Sequence, residues 1–241
     1  MPEKITSQTE EFLETVYRLE QRDGVARTSE IVKMLKVVPG TVTNTVERLE
    51  KRGFVKHEAY KGVVLTQKGR RIALRVIRKH RLSERLLSDI LHIEWNKVHE
   101  AACQLEHGLT EEVAKNIEKV LKWPRTCPHG NPIPTGCGGI IEELQAKPLL
   151  NLNQGEEGTV VMITDERSSI LKRVEMLGLK PGAHVKMLKK TQRGSPIYVR
   201  VDEVRRKVPP ELAVAVKVKK KGEDSHVSSG VERWDIREEF H

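Results

Sequence analysis

Apolar residues recur at helical spacing through most of the first 122 positions and alternate at strand spacing only in the last third. Phe12, Leu13, Val16, Tyr17 and Leu19 give residues 8–21 one apolar stripe, which predicts a helix. Thr28 or Ser29 is placed to cap a second helix through Ile31, Val32 and Leu35. Val37-Val38-Pro39-Gly40 reads as a short turn, with Pro39 near the first helical position of a third element. There Val42, Val46 and Leu49 form the stripe and Gly53 stops it. Phe54-Val55 and Val63-Val64-Leu65 flank Tyr60-Lys61-Gly62, the pattern of a hairpin. Helix, tight turn, helix and hairpin in that order predict a winged helix-turn-helix.

A long amphipathic helix follows over 67–92, through Ile72, Val76, Ile77, Leu82 and Leu86. Shorter helices are expected over 95–107 and 110–122, separated by Gly108 and closed by Pro124. Trp95, Val98, Leu105, Val113, Ile117 and Val120 make these two helices more apolar than a lone surface pair tolerates, which points to a symmetric homodimer seam. Residues 124–139 are a Pro/Gly-rich loop, and 147–155 read as a linker. Beyond it, Gly158–Ile163, His184–Lys189, Ile197–Val201 and Leu212–Val218 are short β-rich segments, with a helix through Ile170, Val174 and Leu177 among them. They predict a small barrel.

Composition narrows the class. The chain has 241 residues, room for one to three domains, and 37% apolar residues, ordinary for a soluble protein. Three cysteines, no apolar N-terminal run and no long uncharged stretch argue against secretion, a membrane span or a disulfide scaffold. A reducing, cytoplasmic setting is expected, with Cys103 available as a thiolate. The net charge of +9 is uneven. Residues 1–81 carry 18 Lys/Arg and 10 Asp/Glu, 82–154 carry 7 and 10, 155–221 carry 16 and 8, and 222–241 carry 2 and 6. The basic N-terminal block favours a polyanion partner. On the third helix, Thr41, Thr43 and Asn44 lie off the apolar stripe near the N-terminus, where a recognition helix meets base edges. Asn44 is of a residue type that can bond adenine in a bidentate manner. Arg48 and Lys51 lie farther along, suited to phosphates. Thr28, Pro39, Gly40 and Lys61 of the wing complete the candidate contacts to double-stranded DNA. The bland alternative is an exposed helix on a protein–protein module.

His99, Cys103, Glu106 and His107 fall at i, i+4, i+7 and i+8 of a segment, 96–108, that reads as helix, so they share one face roughly 100° wide. Two imidazoles, a thiol and a carboxylate facing one way suit a transition metal. His80 and Glu84, at i, i+4 on the preceding helix, add a second row. His99 and His107 are about 12 Å apart along the axis, too far for one ion, so two neighbouring sites are expected. Ordinary polar helix residues are the alternative.

The run Arg78-Lys79-His80-Arg81-Leu82-Ser83-Glu84-Arg85-Leu86-Leu87, then Asn96-Lys97-Val98-His99, Cys103 with Glu106-His107, and Gly130-Asn131-Pro132-Ile133-Pro134 resemble the diphtheria-toxin-repressor family of metal-dependent transcriptional regulators. The resemblance covers about residues 8–145. It implies a cytoplasmic homodimer that binds operator DNA when metal-loaded, commonly repressing metal-homeostasis genes, with no enzymatic activity and no small organic substrate. Its primary site would use Cys103, Glu106 and His107, completed by Glu11. Its second site would use His80, Glu84 and His99, joined by Cys127 and His129 from the Cys-Pro-His-Gly loop. Glu11 stands where iron-type members have methionine and manganese-type members a carboxylate, and Glu14 matches a further manganese-type ligand. The mixed set favours Fe(II), with Mn(II) and Zn(II) behind it. Leu177-Gly178-Leu179-Lys180-Pro181-Gly182 resembles the SH3-like domain of the ferrous-iron-transport A (FeoA) type. That domain would lend a ligand to the second site: Asp165, with Glu166 as the alternative. Cys137 is expected to be an idle thiol or part of a structural zinc site with Cys127 and His129.

The fold class expected is therefore mainly α. A winged helix-turn-helix (1–76) leads to a helical metal-binding and dimerisation domain (77–147), a linker (148–154), a small SH3-like β-barrel (155–221) and a poorly ordered tail (222–241). Metal binding would fix the spacing of the two DNA-binding units, and unbound Glu11, Glu84 and Glu106 would repel one another and open the empty state. The rivals are a metalloenzyme using the same cluster and a constitutive DNA-binding protein with a structural metal. No Glu-x-x-His motif of the di-iron kind occurs in the two ligand-bearing helices.

Overall fold

The computed structural model describes residues 5–58, 61–136, 139, 146–190 and 194–221. Cys137, Tyr60 of the expected hairpin turn and the tail 222–241 lie outside the described residues. Helix α1 (Ser7–Asp23) starts where Thr6 accepts the amide of Thr9, and stops at Gly24, whose φ of 78° the left-handed region allows without penalty. It is followed by α2 (Thr28–Leu35) and α3 (Pro39–Lys51), the latter opening on Pro39 as expected. Thr28 is the first residue of α2 rather than its cap, which is a correction. Ala26 exchanges backbone hydrogen bonds with Val63 (3.0 and 2.9 Å), so this bridge to the hairpin sets the extended backbone before α2. No side chain caps α2.

The hairpin pairs β1 (Val55–Glu58) with β2 (Gly62–Leu65), and α4 (Gln67–Asp89) leaves it with Thr66 capping Gly69. The buried faces of α1 to α4 and the hairpin form one core around Leu13, Val16, Ile31, Leu49, Phe54 and Ile77. Thr41, Thr43, Asn44, Arg48 and Lys51 of α3 are exposed, as are Pro39, Gly40 and Lys61, while Thr28 is half-buried.

The second half of α4 packs against α5 (Val98–Leu105) and α6 (Glu111–Val120) over a small core of Leu82, Ala114, Ile117 and Ile133. The helix expected over 95–107 is shorter: α5 ends at Leu105, and Glu106–Gly108 tighten into a 3-10 turn. Glu106 keeps helical dihedrals and meets the same His80 nitrogen that Cys103 approaches, whereas His107 meets Glu10 of α1. Trp95 was expected among the seam residues. It packs on the C-terminal core, and its indole N–H donates to the Pro128 carbonyl at 2.9 Å.

The C-terminal third is a six-stranded antiparallel sheet in the order β3-β8-β4-β5-β6-β7. Its strands are β3 (Lys147–Pro148), β4 (Glu157–Ile163), β5 (His184–Lys189), β6 (Ile197–Val201), β7 (Val204–Val208) and β8 (Val216–Lys220). Helix α7 (Ser168–Met176) follows β4, and α8 (Pro210–Ala215) precedes β8. Three sequence expectations are corrected here. Residues 148–154 are no linker, because Pro148 pairs in the sheet and Leu149 and Leu152 are fully buried in its core. Residues 212–215 are helical: Pro210 begins a turn whose Leu212, Ala213 and Ala215 close one end of that core. Strand β7 escaped notice because Arg205-Arg206-Lys207 hides its alternation, yet it pairs with β6 along its whole length.

Candidate metal centre

Glu84 sits at the middle of a cluster assembled from all three units. Its Oε1 lies 3.1 Å from His80 Nε2, 3.2 Å from His99 Nδ1 and 3.3 Å from His129 Nδ1, and the His80 and His99 nitrogens are 3.0 Å apart. His80 and Glu84 follow each other by one turn of α4, so they point the same way, and α5 packs across them to bring in His99. His129 arrives on the Cys127–Asn131 loop, a tight turn in which Gly130 donates to the Cys127 carbonyl and Cys127 to that of Asn131, each at 2.9 Å. Gly130 has a φ of 85°, and a Cβ there would stand 1.9 Å from the Val161 carbonyl oxygen, so only glycine lets the loop lie against β4.

The C-terminal unit contributes Glu166. Its Oε1 accepts from Asn131 at 2.8 Å and faces His129 Nδ1 at 3.5 Å and Cys127 Sγ at 3.9 Å. Its Oε2 accepts from Arg18 of α1 at 2.9 Å and lies 3.7 Å from His99 Nδ1. Asp165 does not reach the cluster. It turns outward and is held by the Arg167 guanidinium at 2.6 to 3.1 Å, so Glu166 takes the place the sequence reading gave to Asp165. Three overlapping groups of potential ligands result: His80, His99 and Cys103; His80, Glu84, His99 and Glu166; and Glu84, Cys127, His129 and Glu166.

The other expected site is not gathered around one point. His80 Nδ1 engages Glu106 Oε2 at 2.5 Å, and the other Glu106 oxygen lies 3.3 Å from His107 Nε2. His107 Nδ1 meets Glu10 Oε2 at 3.0 Å, whereas Glu11 is exposed and engages no hydrogen bond or ion pair among the described residues. Cys103 is drawn toward His80 (4.0 Å) and His99 (3.9 Å) instead of toward His107. Glu14, one turn beyond Glu10, is buried and held by Arg18.

Charge in the cluster is interleaved. Burial opposes ionisation throughout, but Glu84, then Cys103 and Glu106, outweigh it at His80 and hold that imidazole well above its ordinary value. Against the same burial, Cys103 and Glu84 bring His99 up to about 9, and Cys127, Glu166 and Glu84 bring His129 to about 12. Glu84 and Glu166 stay below the usual carboxylate range despite burial, Glu84 through its histidines and Glu166 through His129 and Arg18. The neighbouring imidazoles bring the Cys103 thiol down to about 7 against its burial. Burial and the charge of Glu84 push the Cys127 thiol up to about 11. His80 lies between Glu84 and Glu106 and offsets the repulsion expected of that pair, while Glu84 still acts against the ionisation of Glu166, and burial with the charge of Glu14 raises the Glu106 carboxyl.

The donor set nonetheless fits a cation. Glu84 Oε2 and His129 Nδ1 are buried without a well-formed hydrogen bond. The 3.3 and 3.5 Å approaches to His129 Nδ1 are close in distance but misdirected for an N–H donor, so they act as charge contacts. Nitrogen and oxygen atoms 3.0 to 3.3 Å apart have the mutual spacing of ligands around an ion about 2.1 Å from each.

Family models match three consecutive segments of this chain. Residues 4–63 match the N-terminal DNA binding domain of iron dependent repressors, 66–135 their metal binding and dimerisation domain, and 147–220 the FeoA domain. The iron-dependent repressor IdeR of Mycobacterium leprae is 34% identical over 224 residues, covering 88% of this chain and 96% of that protein. This chain belongs to the iron-dependent repressor family. Another relative, the diphtheria toxin repressor of Corynebacterium diphtheriae, is 42% identical over 126 residues, covering 52% of this chain and 56% of its own. Among solved structures, T. acidophilum IdeR superposes with a TM-score of 0.77 at 29% identity, covering 90% of this chain and 99% of its own. A manganese-dependent transcriptional repressor in complex with manganese gives 0.80 at 26%, covering 88% and 99%. Within this iron-dependent repressor chain, sequence reasoning missed Glu10 and Arg18. The signal was present: Glu10, Glu14 and Arg18 follow at i, i+4 and i+8 on the α1 face that turns toward the cluster. No helix among the described residues is long and apolar enough to cross a membrane.

Proposed function

We propose that this chain is a metal-dependent transcriptional repressor, binding double-stranded operator DNA as a homodimer when loaded with a divalent transition metal, and acting in the cytoplasm on metal-homeostasis genes. The observation that carries this reading is the convergence of α1, the α4–α5 pair, the Cys127–Asn131 loop and Glu166 on one buried polar cluster. A divalent ion there would supply positive charge shared by ligands from separate units. Two sites per subunit are assigned. One takes His80, Glu84, His99 and Glu166, with Cys127 and His129 adjoining. The other takes Cys103, Glu106 and His107, with a carboxylate of α1 that is Glu10 as placed or Glu11 after a change of rotamer. One thiol among nitrogen and oxygen donors favours Fe(II), with Mn(II) and Zn(II) as the other candidates.

The chain's residues gate DNA binding by holding α1 relative to the rest. Glu10 and Glu14 ride on α1, which packs in the same core as α3. Stabilising one position of α1 therefore selects one spacing of two recognition helices, a population shift driven by differential affinity. Thr41, Thr43, Asn44, Arg48 and Lys51 are exposed for the major groove, with Pro39 and Gly40 at the helix start, Lys61 on the wing and half-buried Thr28 at the start of α2. For the homodimer, Val113, Val120 and Trp123 are exposed apolar side chains on and just past α6. The test is anaerobic titration of the chain's own upstream DNA with and without Fe(II). Tight binding is expected only with metal, and equal affinity under chelator would exclude gating.

A further inference from the structure

Arg18 is the one cation of the DNA-binding unit that reaches into the cluster among the contacts described. Its Nε donates to Glu14 Oε1 at 2.9 Å, its Nη2 is ion-paired with the same oxygen at 2.8 Å, and its Nη1 donates to Glu166 Oε2 at 2.9 Å. The two carboxylates are nearly sealed from solvent, with side chains 10% and 3% exposed. Glu166 Oε2 is also the oxygen 3.7 Å from His99 Nδ1, so the guanidinium and the candidate metal groups draw on the same atom. Histidines next to it can lose their protons when a metal arrives, but a guanidinium does not deprotonate in a protein. Its charge beside the site is permanent.

We propose that Arg18 is a built-in counter-cation of the metal centre: in the metal-free chain it occupies Glu14 and Glu166, a divalent ion must share Glu166 with it, and the metal concentration at which the chain responds is set by that competition. The inference rests on the metal reading above and adds a threshold-setting residue to it. Two consequences of opposite sign follow. Without metal, the guanidinium compensates carboxylates that would otherwise be buried with fewer partners, so it stabilises the empty chain. With metal, it is a like charge near a doubly charged ion and weakens binding. A residue that merely braced the fold would lower both stability and metal affinity when removed.

The experiment uses the full chain, with Mn(II) as the probe. Urea unfolding in chelator and calorimetric Mn(II) titration are compared for wild type, Arg18→Gln and Arg18→Lys. Arg18→Gln should raise the unfolding equilibrium constant in chelator about tenfold or more, the effect of losing a charge-assisted hydrogen bond. The same variant should bind Mn(II) at least about tenfold more tightly. Arg18→Lys keeps the charge and should stay near wild type in Mn(II) affinity. If Arg18→Gln does not fold without metal, Arg18→Met supplies a second neutral side chain for the same titration. Mn(II) affinity unchanged or weaker in the neutral variants would overturn the counter-cation role alone. No Mn(II) binding by any variant, wild type included, would overturn the metal reading and this inference with it.

Discussion

Replacing Glu166 by Gln tests whether the C-terminal unit is held by this carboxylate and not by its neighbour Asp165. The Glu166 side chain is 3% exposed and accepts from Arg18 at 2.9 Å and Asn131 at 2.8 Å, with His99 and His129 within 3.7 Å. Breaking a buried ion pair by removing one partner costs about 3–5 kcal/mol. Arg18 keeps some access to water, its side chain being 25% exposed, and Gln preserves the shape and one acceptor, so about 2–3 kcal/mol is expected. Asp165→Asn loses only a pair with Arg167, whose side chain is 72% exposed, and should cost less than about 1 kcal/mol. Urea denaturation of the metal-free full chain, followed by circular dichroism, reads both. The Glu166 carboxyl is held below its unfolded value of 4.5, against its burial, by His129 and Arg18. A depressed folded value means that the stabilisation is full above the unfolded value and drains as the pH falls below it. The gap between wild type and Glu166→Gln should therefore be widest near neutrality and narrow below about pH 4.5. Equal destabilisation by the two variants, or a gap that widens on acidification, would refute the assignment.

Gly130→Ala places a methyl 1.9 Å from the Val161 oxygen at a φ of 85°, and should lower stability by more than about 2 kcal/mol and weaken Mn(II) binding. Unchanged thermal unfolding and calorimetry would show that the loop has room to move. Cys103, with its thiol brought down to about 7, should be alkylated by iodoacetamide at a rate rising through that pH, while the buried Cys127 stays unmodified in the folded chain. Peptide mapping checks this, and added metal should protect Cys103 if it is a ligand. Arg48→Ala or Lys51→Ala should weaken operator binding across sequences and reduce the slope of log affinity against log salt by about one. An unaltered slope in a fluorescence titration would mean that neither residue contacts phosphate.

Most of the architecture was legible along the chain because it is written in local terms. The stripes of α1 to α4, Pro39 at the head of α3 and the order helix, turn, helix, hairpin depend on residues close in sequence. The candidate metal centre was half legible for the same reason: His80 with Glu84 and His99 with Cys103 are one turn apart on their helices, so helical geometry alone pairs them. What joins these pairs is decided by contacts between distant segments. Glu166 and not Asp165 faces the cluster because β4 ends against the Cys127–Asn131 loop, where the Ile163 amide donates to the His129 carbonyl at 2.9 Å and fixes which of the next carboxylates turns inward. Glu106 kept to the expected stripe and reached His80, but the pairing of His107 with Glu10 of α1 joins residues 97 positions apart. Leu149 and Leu152 read as linker until the sheet enclosed them. Arg18, an ordinary helix-surface cation in sequence, became part of the centre only when a carboxylate 148 positions away was folded against it. Periodicity names the face a residue occupies, but which group meets that face is set by the packing of whole units, and only the tertiary structure contains it.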